Sequence, residues 1–450
     1  MTTLNKSQQA VLKAVDSHRN LFITGGAGVG KTYTVLSIIE YLSNSGKNVM
    51  VTAPTGIAAL SIGGVTLSRA FEIPFGALTY RVADYKPNDE LVKSDVVIID
   101  EISMCRWDTF DFIANKILQA DEIRKYQGLK PIQLIVVGDF FQLPPVTTYR
   151  DKRALDRYYN TDVGLAYAFM SKFWKMFDFY SILLTEVMRQ IDKEYIQELD
   201  KIRTGNKAYI ELLKEKTSPN KIDKAVEICS KNSEVKEKNK EELEKIPQQA
   251  YEYKALITGD ASESDVIADE ELILKVGARV MTLINNDVMK NGALGTVEEL
   301  LRDKIIVKLD TGERVELERF TWEVYNYRID RDEQNEQFIT KYISGTFTQF
   351  PVKLAYAITI HKSQGQTYDS ANISPYCWEC GQLYVAISRV RSIENVHFNY
   401  APDSSYVCTS LNVIKFYNDL NFNATIDVQN TEEKALDSDA ETLLKLLKTM

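Results

Sequence analysis

No apolar run in the chain approaches the ~20 residues that a membrane-spanning helix requires. The first residues, Met1-Thr2-Thr3-Leu4-Asn5-Lys6-Ser7, carry neither signal-peptide nor transit-peptide character. Cysteine is sparse and odd in number, at five. That argues against a disulfide framework and for a reducing, cytoplasmic setting. Cys377 and Cys380 form a lone C-x-x-C with no second pair or nearby histidine, so zinc is not expected there. Positive charge is also short. A net charge of −9 argues against a protein that coats nucleic acid by bulk attraction. It leaves room for a local groove, because phosphate contacts need only a few placed groups.

Apolar residues are plentiful, at 44% of 450 positions, enough to fill the cores of several domains. The chain is organised around Leu21-Phe22-Ile23-Thr24-Gly25-Gly26-Ala27-Gly28-Val29-Gly30-Lys31-Thr32. An apolar strand runs into a glycine-rich turn, and Val35, Leu36, Ile38 and Ile39 follow at helical spacing. Gly25, Gly30, Lys31 and Thr32 satisfy G-x-x-x-x-G-K-[ST], the phosphate-binding loop. Its backbone N–H groups face a polyphosphate, with positive charge added by the helix N-terminus. Lys31 reaches the outer phosphates, and the Thr32 hydroxyl can ligate Mg²⁺.

Leu4–Val15 reads as a helix, Asn48–Ala53 as a buried strand, and Pro54-Thr55-Gly56 as its breaker. Val65–Asn88 has no clean period and contains Pro74 and Pro87, which suggests an inserted excursion. Val96–Ile99 and Ile132–Val137 are further buried strands, ending in Asp100-Glu101 and Gly138-Asp139. Strands alternating with helices indicate an α/β fold with a parallel sheet. Ser181–Leu184 resembles another strand, and the lysine–glutamate mixture from Ser233 to Lys245 reads as a solvated helix. Ile305–Leu309, the turn Asp310-Thr311-Gly312, Arg314–Leu317 and Trp322–Tyr325 suggest a small β-barrel. Beyond about Asn421 the chain turns acidic, with a short amphipathic helix at Thr442–Leu447.

Hydrolysis of a terminal phosphate needs a metal ligand, an activated water and positive groups facing the transferring phosphoryl. Asp100 at a strand end suits the metal, and its neighbour Glu101 can orient or deprotonate water. Gln142, in Gly138-Asp139-Phe140-Phe141-Gln142-Leu143-Pro144-Pro145-Val146, can touch both phosphate and water. Arg189 and Arg389 are candidates for stabilising transition-state charge. Each also has an ordinary reading as a surface ion-pair partner.

The set Gly25–Thr32, Ala53–Ala59, Ile99–Met104, Gly138–Val146, Arg189-Gln190, Ile360–Thr367 and Tyr384–Arg391 resembles superfamily I DNA helicases. Within these it is similar to the Pif family, in the branch that includes RecD-like enzymes. The match runs in order from Gln8 to about Arg391. The resemblance implies two RecA-like P-loop NTPase cores, with ATP and Mg²⁺ between them and single-stranded DNA across both. It makes Gln8 the adenine reader, places Gly365 with the ATP-binding residues, and makes Arg189 and Arg389 fingers from the second core. Thr55, Thr359 and His361, with Lys362, match positions that hold the DNA backbone. Ser68 falls in Thr66-Leu67-Ser68, where the family usually has a histidine.

The expected layout is a first core at 1–64 and 91–178, interrupted by an accessory element at 65–90. A second core follows at 179–295 and 351–424, with an SH3-like β-barrel at 296–350 and an acidic tail at 425–450. The expected activity is ATP-driven translocation on single-stranded DNA, 5′ to 3′ by resemblance, with unwinding at single-strand/duplex junctions in replication, repair or recombination. A monomeric motor is expected. The rivals are a translocase subunit that does not unwind alone, and a nucleotide-dependent DNA-binding switch.

Overall fold

The computed structural model describes residues 6–74, 78, 86–147, 151–153, 155–156, 167–185, 187, 193–223, 225–263, 266, 268–284, 289, 293–331, 337–420, 422 and 424–426. The chain divides into two compact units, Met1–Ser230 with Thr359–Met450, and Lys231–Ile358. Among the described residues no helix is long and apolar enough to cross a membrane.

The first unit is built on a seven-stranded sheet. Its order is Ala424–Ile426, Tyr180–Leu184, Leu21–Thr24, Gln133–Val137, Val96–Ile99, Val49–Ala53 and Val65–Thr66. All of these pairings are parallel. Leu21–Thr24, Val96–Ile99 and Gln133–Val137 are buried at every residue, as central parallel strands covered on both faces must be. Alternate residues feed opposite cores. Phe22, Val97, Ile99, Leu134 and Val136 meet Phe110, Ile113 and Ile117 of helix Trp107–Tyr126. Leu21, Ile23, Ile98, Ile135 and Val137 meet Val11 and Val15 of helix Lys6–Asp16, and Val35 and Ile38 of helix Lys31–Asn44. Because the strands run parallel, the phosphate loop, Asp100-Glu101 and Gly138-Asp139 all leave the sheet at the same edge. That edge is where open α/β sheets bind ligands. The same unit carries a second parallel set, Val226–Cys229, Ala371–Ile373 and Val396–Phe398.

Several expected boundaries move. Strand Tyr180–Leu184, expected to open the second core, pairs with Leu21–Thr24, Ile182 lying beside Ile23. Helix Leu411–Asp419 and strand Ala424–Ile426, also assigned to the second core or tail, return to the first. Phe416 lies 5.4 Å from Phe140 and 6.0 Å from Phe22, ring centre to ring centre. A buried strand declares its apolar faces but not which sheet it joins, so its partner is invisible in the local pattern. The excursion also starts later than 65. Val65–Thr66 pairs with Thr52 and Ala53, and Leu67, Ala70 and Phe71 are buried in the first core. Its stretch at 75–77 and 79–85 lies outside the described residues, as do tail residues 427–450.

The second unit is largely antiparallel, with the expected solvated helix at Asn232–Glu244. The expected hairpin forms, Ile305–Leu309 against Arg314–Leu317. It belongs to a five-stranded sheet that continues through Leu294–Leu300, Arg279–Thr282 and Val352–Leu354. Phe320–Arg331 instead pairs with Gln337–Gln349, whose other edge pairs with Leu256–Gly259. The β unit therefore begins well before residue 296, because the sheet needs strands from both sides of that boundary to bury Val280, Val297, Val307 and Val352 together.

The thiols also differ from expectation. Cys105, Cys229 and Cys377 are buried and take no part in a disulfide, whereas Cys380 is joined to Cys408 across 28 positions. The C-x-x-C pair is not the bonded one. Spacing along the chain does not report which α-carbons the fold brings close.

Candidate functional site

The phosphate loop spans the gap between strand Leu21–Thr24 and helix Lys31–Asn44. A Cβ on Gly25 would collide with the carbonyl oxygen of Leu184, so only glycine lets the neighbouring strand lie this close. Gly30 sits in left-handed backbone, φ 77°, directly before the helix. Gly26, Ala27, Gly28 and Val29 complete the turn, with Val29 and Ala27 buried. Lys31 is 9% exposed, and its Nζ donates to the carbonyls of Gly25 and Gly26 at 2.9 and 2.8 Å. Burial lowers its pKa, opposed by the charges of Asp139, Glu101 and Asp100. Negative phosphate oxygens would reverse that penalty.

Asp100 and Glu101 are both buried at the end of strand Val96–Ile99. Burial, followed by the charge of Glu101, raises the Asp100 pKa. Glu101 adopts left-handed backbone, φ 50° and ψ 44°, unusual for a non-glycine residue and costly without support. Support comes from far along the chain: Gln364 Nε2 donates to Glu101 Oε2 at 2.9 Å. A Cβ on Gly365 would stand 3.9 Å from Glu101 Oε1, so this motif borders the carboxylate. Thr32 is half-buried at the start of its helix. Among the described residues no group of three or more His, Cys, Asp or Glu side chains could hold a metal. One carboxylate, one hydroxyl and substrate phosphates make a hard-oxygen set that fits Mg²⁺.

Gln142 is 4% exposed; its Nε2 donates to Asp139 Oδ2 at 3.4 Å, and its N–H to the Asp139 carbonyl at 2.9 Å. Asp139 is gripped in turn by Arg203, whose Nε and Nη2 reach its two oxygens at 3.0 and 2.9 Å. Both side chains are buried, and the guanidinium lies 4.4 Å from the centre of the Phe141 ring. Tyr384 Oη accepts from the Ala27 N–H at 2.6 Å. Tyr417 Oη is 2.7 Å from Thr24 Oγ1, and its ring stacks on Phe141 at 4.7 Å. Sequence reading missed Arg203, Gln364, Tyr384 and Tyr417. Gln364 and Tyr384 stood inside quoted motifs, but Arg203 and Tyr417 had no local signal.

The fingers fare differently. Arg389 is 1% exposed, and its guanidinium donates to the carbonyls of Val385, Ser363 and Gln366 and to Ser388 Oγ. These partners lie in the helix Gln382–Ile387 that precedes it, at that helix's cap Ser388, or in the Ile360–Thr367 motif. Arg189 and the side chain of Gln8 lie outside the described residues.

The residues expected to hold DNA are half-exposed or at helix starts. Thr55 Oγ1 accepts from Ala58 N–H and Thr359 Oγ1 from Lys362 N–H, both at 3.3 Å. Each cap uses an acceptor lone pair and leaves the hydroxyl proton to donate. Ser68 is exposed and Lys362 half-exposed. His361 stacks beside Trp378, ring centres 6.2 Å apart, and its buried Nε2 has no hydrogen-bond partner. Burial lowers its pKa. Trp378 is 51% exposed, an aromatic face the sequence reading did not single out.

Residues 3–218 match the family described as PIF1-like helicase. The chain is similar to an ATP-dependent DNA helicase Pif1 from Campylobacter jejuni, with 30% identity over 91% of this chain and 97% of that one. It is similar to an ATP-dependent DNA helicase PIF1 from Xenopus laevis, 32% identical over 93% of this chain and 64% of that longer protein. It is also similar to a Pif1 helicase from Bacteroides solved with ADP-AlF3 and single-stranded DNA. That pair shares 34% identity at a TM-score of 0.78, over 93% of this chain and 97% of the other.

Proposed function

Because the chain belongs to the PIF1-like helicase family, we propose that its phosphate loop and the motifs meeting there hydrolyse ATP to drive 5′-to-3′ stepping along single-stranded DNA. The protein is an ATP-hydrolysing DNA helicase. The observation that carries the site assignment is convergence over sequence distance. Gln364 reaches Glu101 across 263 positions, and Tyr384 reaches Ala27 across 357.

In this reading Lys31 exchanges the Gly25 and Gly26 carbonyls for phosphate oxygens, and Gln8 faces the base. Thr32 and Asp100 would hold Mg²⁺, which would neutralise charge on the outer phosphates. Glu101 accepts the proton of the attacking water, its other oxygen fixed by Gln364. Gln142, steered by Asp139, orients that water. Arg189 and Arg389 face the charge that develops on the transferring group. Thr55, Ser68, Thr359, His361 and Lys362 hold the strand by its backbone, so stepping does not depend on base sequence. In this reading the setting is cytoplasmic, bacterial or phage-like; the Campylobacter relative is itself bacterial.

The test is strand displacement on duplexes bearing a single 5′ or 3′ overhang, with ATP hydrolysis followed in parallel. ATP-dependent unwinding of the 5′-tailed duplex alone is expected. Preference for the 3′ tail would overturn the polarity, and hydrolysis indifferent to Lys31→Ala would overturn the site.

A further inference from the structure

Tyr384 has no role in the mechanism above, yet it touches the phosphate loop itself. Its hydroxyl accepts the Ala27 N–H at 2.6 Å, and its ring is 4% exposed in the helix Gln382–Ile387. Phosphate-loop N–H groups are what cradle a polyphosphate. An internal hydroxyl therefore occupies one of the ligand's own donors.

The place of that donor matters. Thr32, at the helix end of the loop, serves the metal, while Lys31 reaches back over the loop toward the outer phosphates, its Nζ lying on the carbonyls of Gly25 and Gly26. Ala27 lies toward the other end, where the hydrolytic groups gather. A Cβ on Gly26 would stand 3.5 Å from Tyr384 Oη and 3.9 Å from Arg203 Cδ. Arg203 is the residue that grips Asp139, the partner of Gln142. The start of the loop is thus the end that meets a terminal phosphate.

We propose that Tyr384 Oη is a placeholder for a terminal phosphate oxygen on the Ala27 N–H, displaced by a nucleoside triphosphate and left in place by a diphosphate. The inference rests on the phosphate loop being the ATP site. It makes Tyr384 a specificity-determining residue that reports the third phosphate to its own helix. Gly381, at the start of that helix, packs so tightly on the Gln142 loop that a Cβ there would lie 2.5 Å from the Gln142 carbonyl oxygen. At the other end of the helix, Arg389 Nε donates to the Val385 carbonyl. In this reading, releasing Tyr384 frees the helix on which the candidate finger, two residues past its end, is held by the Val385 carbonyl.

The experiment uses the full chain without DNA and measures binding of fluorescent ADP and of a fluorescent β,γ-imido triphosphate analogue. Tyr384→Phe keeps the buried ring and removes only the hydroxyl. It leaves the Ala27 N–H without its partner until a phosphate arrives, so triphosphate affinity should rise about 2- to 10-fold. ADP affinity should stay unchanged. Weaker or unchanged triphosphate binding beside normal ADP binding overturns the placeholder alone, as does equal tightening of both nucleotides. Lys31→Ala that binds ADP as well as the unsubstituted chain overturns the assignment of the loop itself.

Discussion

The phosphate loop and the residues assigned to the DNA strand handle charge in opposite ways. Around the loop, Lys31, Asp100, Glu101, Asp139 and Arg203 are all buried, and each charge leans on another. Along the strand contacts, Thr55 and Thr359 offer neutral hydroxyls at helix starts, and His361 is pushed toward its neutral form. Only Lys362 in that set brings a lasting positive charge. Chemistry on a phosphoanhydride needs preorganised charge in a dry place, where each dipole acts through a low dielectric. Holding a track that must be released at every step needs contacts that are numerous, weak and indifferent to sequence.

The largest effect that would break this contrast concerns Arg389. Arg389→Ala should lower hydrolysis by about 10³- to 10⁵-fold, the range known for arginine fingers. Nucleotide affinity should change far less. The same substitution strands the carbonyls of Val385, Ser363 and Gln366, so thermal stability should fall as well. Single-turnover hydrolysis beside a melting curve separates the two roles. A folded Arg389→Ala enzyme with most of its turnover would return this arginine to the scaffold. Arg189→Ala, tested in the same way, should also lose turnover.

Next in size is Glu101→Gln. Loss of the proton acceptor should cost about 10²- to 10⁴-fold in turnover. The amide keeps an oxygen for Gln364 to donate to, so ATP and DNA binding should remain close to normal. Hydrolysis near the unsubstituted rate would move the role of base elsewhere.

A third change tests pairing rather than chemistry. Arg203→Met leaves the Asp139 carboxylate buried without its guanidinium, which should destabilise the fold by about 3–5 kcal/mol. Adding Asp139→Leu should recover much of that loss, because the fully buried carboxylate is gone and only the partly exposed Asp200 has lost its guanidinium. Chemical denaturation of the single and double variants measures the difference. Full stability in Arg203→Met alone would mean that water reaches Asp139 and that the loop region is not dry.

What the chain reveals before folding divides along the same line. The phosphate loop, the Asp100-Glu101 pair and the Gln142 loop were legible because each is a short apolar strand ending in chemistry-bearing residues, with all its information local. Arg203 was not legible. It sits in the last turn of helix Lys193–Arg203, where a basic residue is ordinary, and only tertiary contact brings it to Asp139. Tyr417 was hidden for the same reason, since the return of helix Leu411–Asp419 to the first core has no local signature. Strand Tyr180–Leu184 shows the matching limit for fold: its burial was readable, its sheet was not.

The smallest expected effect sharpens the comparison from the DNA side. The net charge of −9 makes long-range attraction to DNA unfavourable, so affinity has to come from placed donors. Neutral hydroxyl donors release few counterions, and a histidine whose pKa is lowered by burial contributes no charge at neutral pH. With about two to four phosphates neutralised at ~0.7 each, the slope of log affinity against log salt should lie between about −1.4 and −2.8. Lys362→Ala should make the slope shallower by ~0.7, the share of one phosphate on a single strand. Thr359→Val and His361→Gln should weaken binding while leaving the slope unmoved, because neither removes a cation. A salt series of single-strand binding on the three variants reads all of this from one plot. A slope several-fold steeper, or one that responds to His361→Gln, would show that strand contacts carry buried or extended positive charge after all, and the contrast with the phosphate loop would fail.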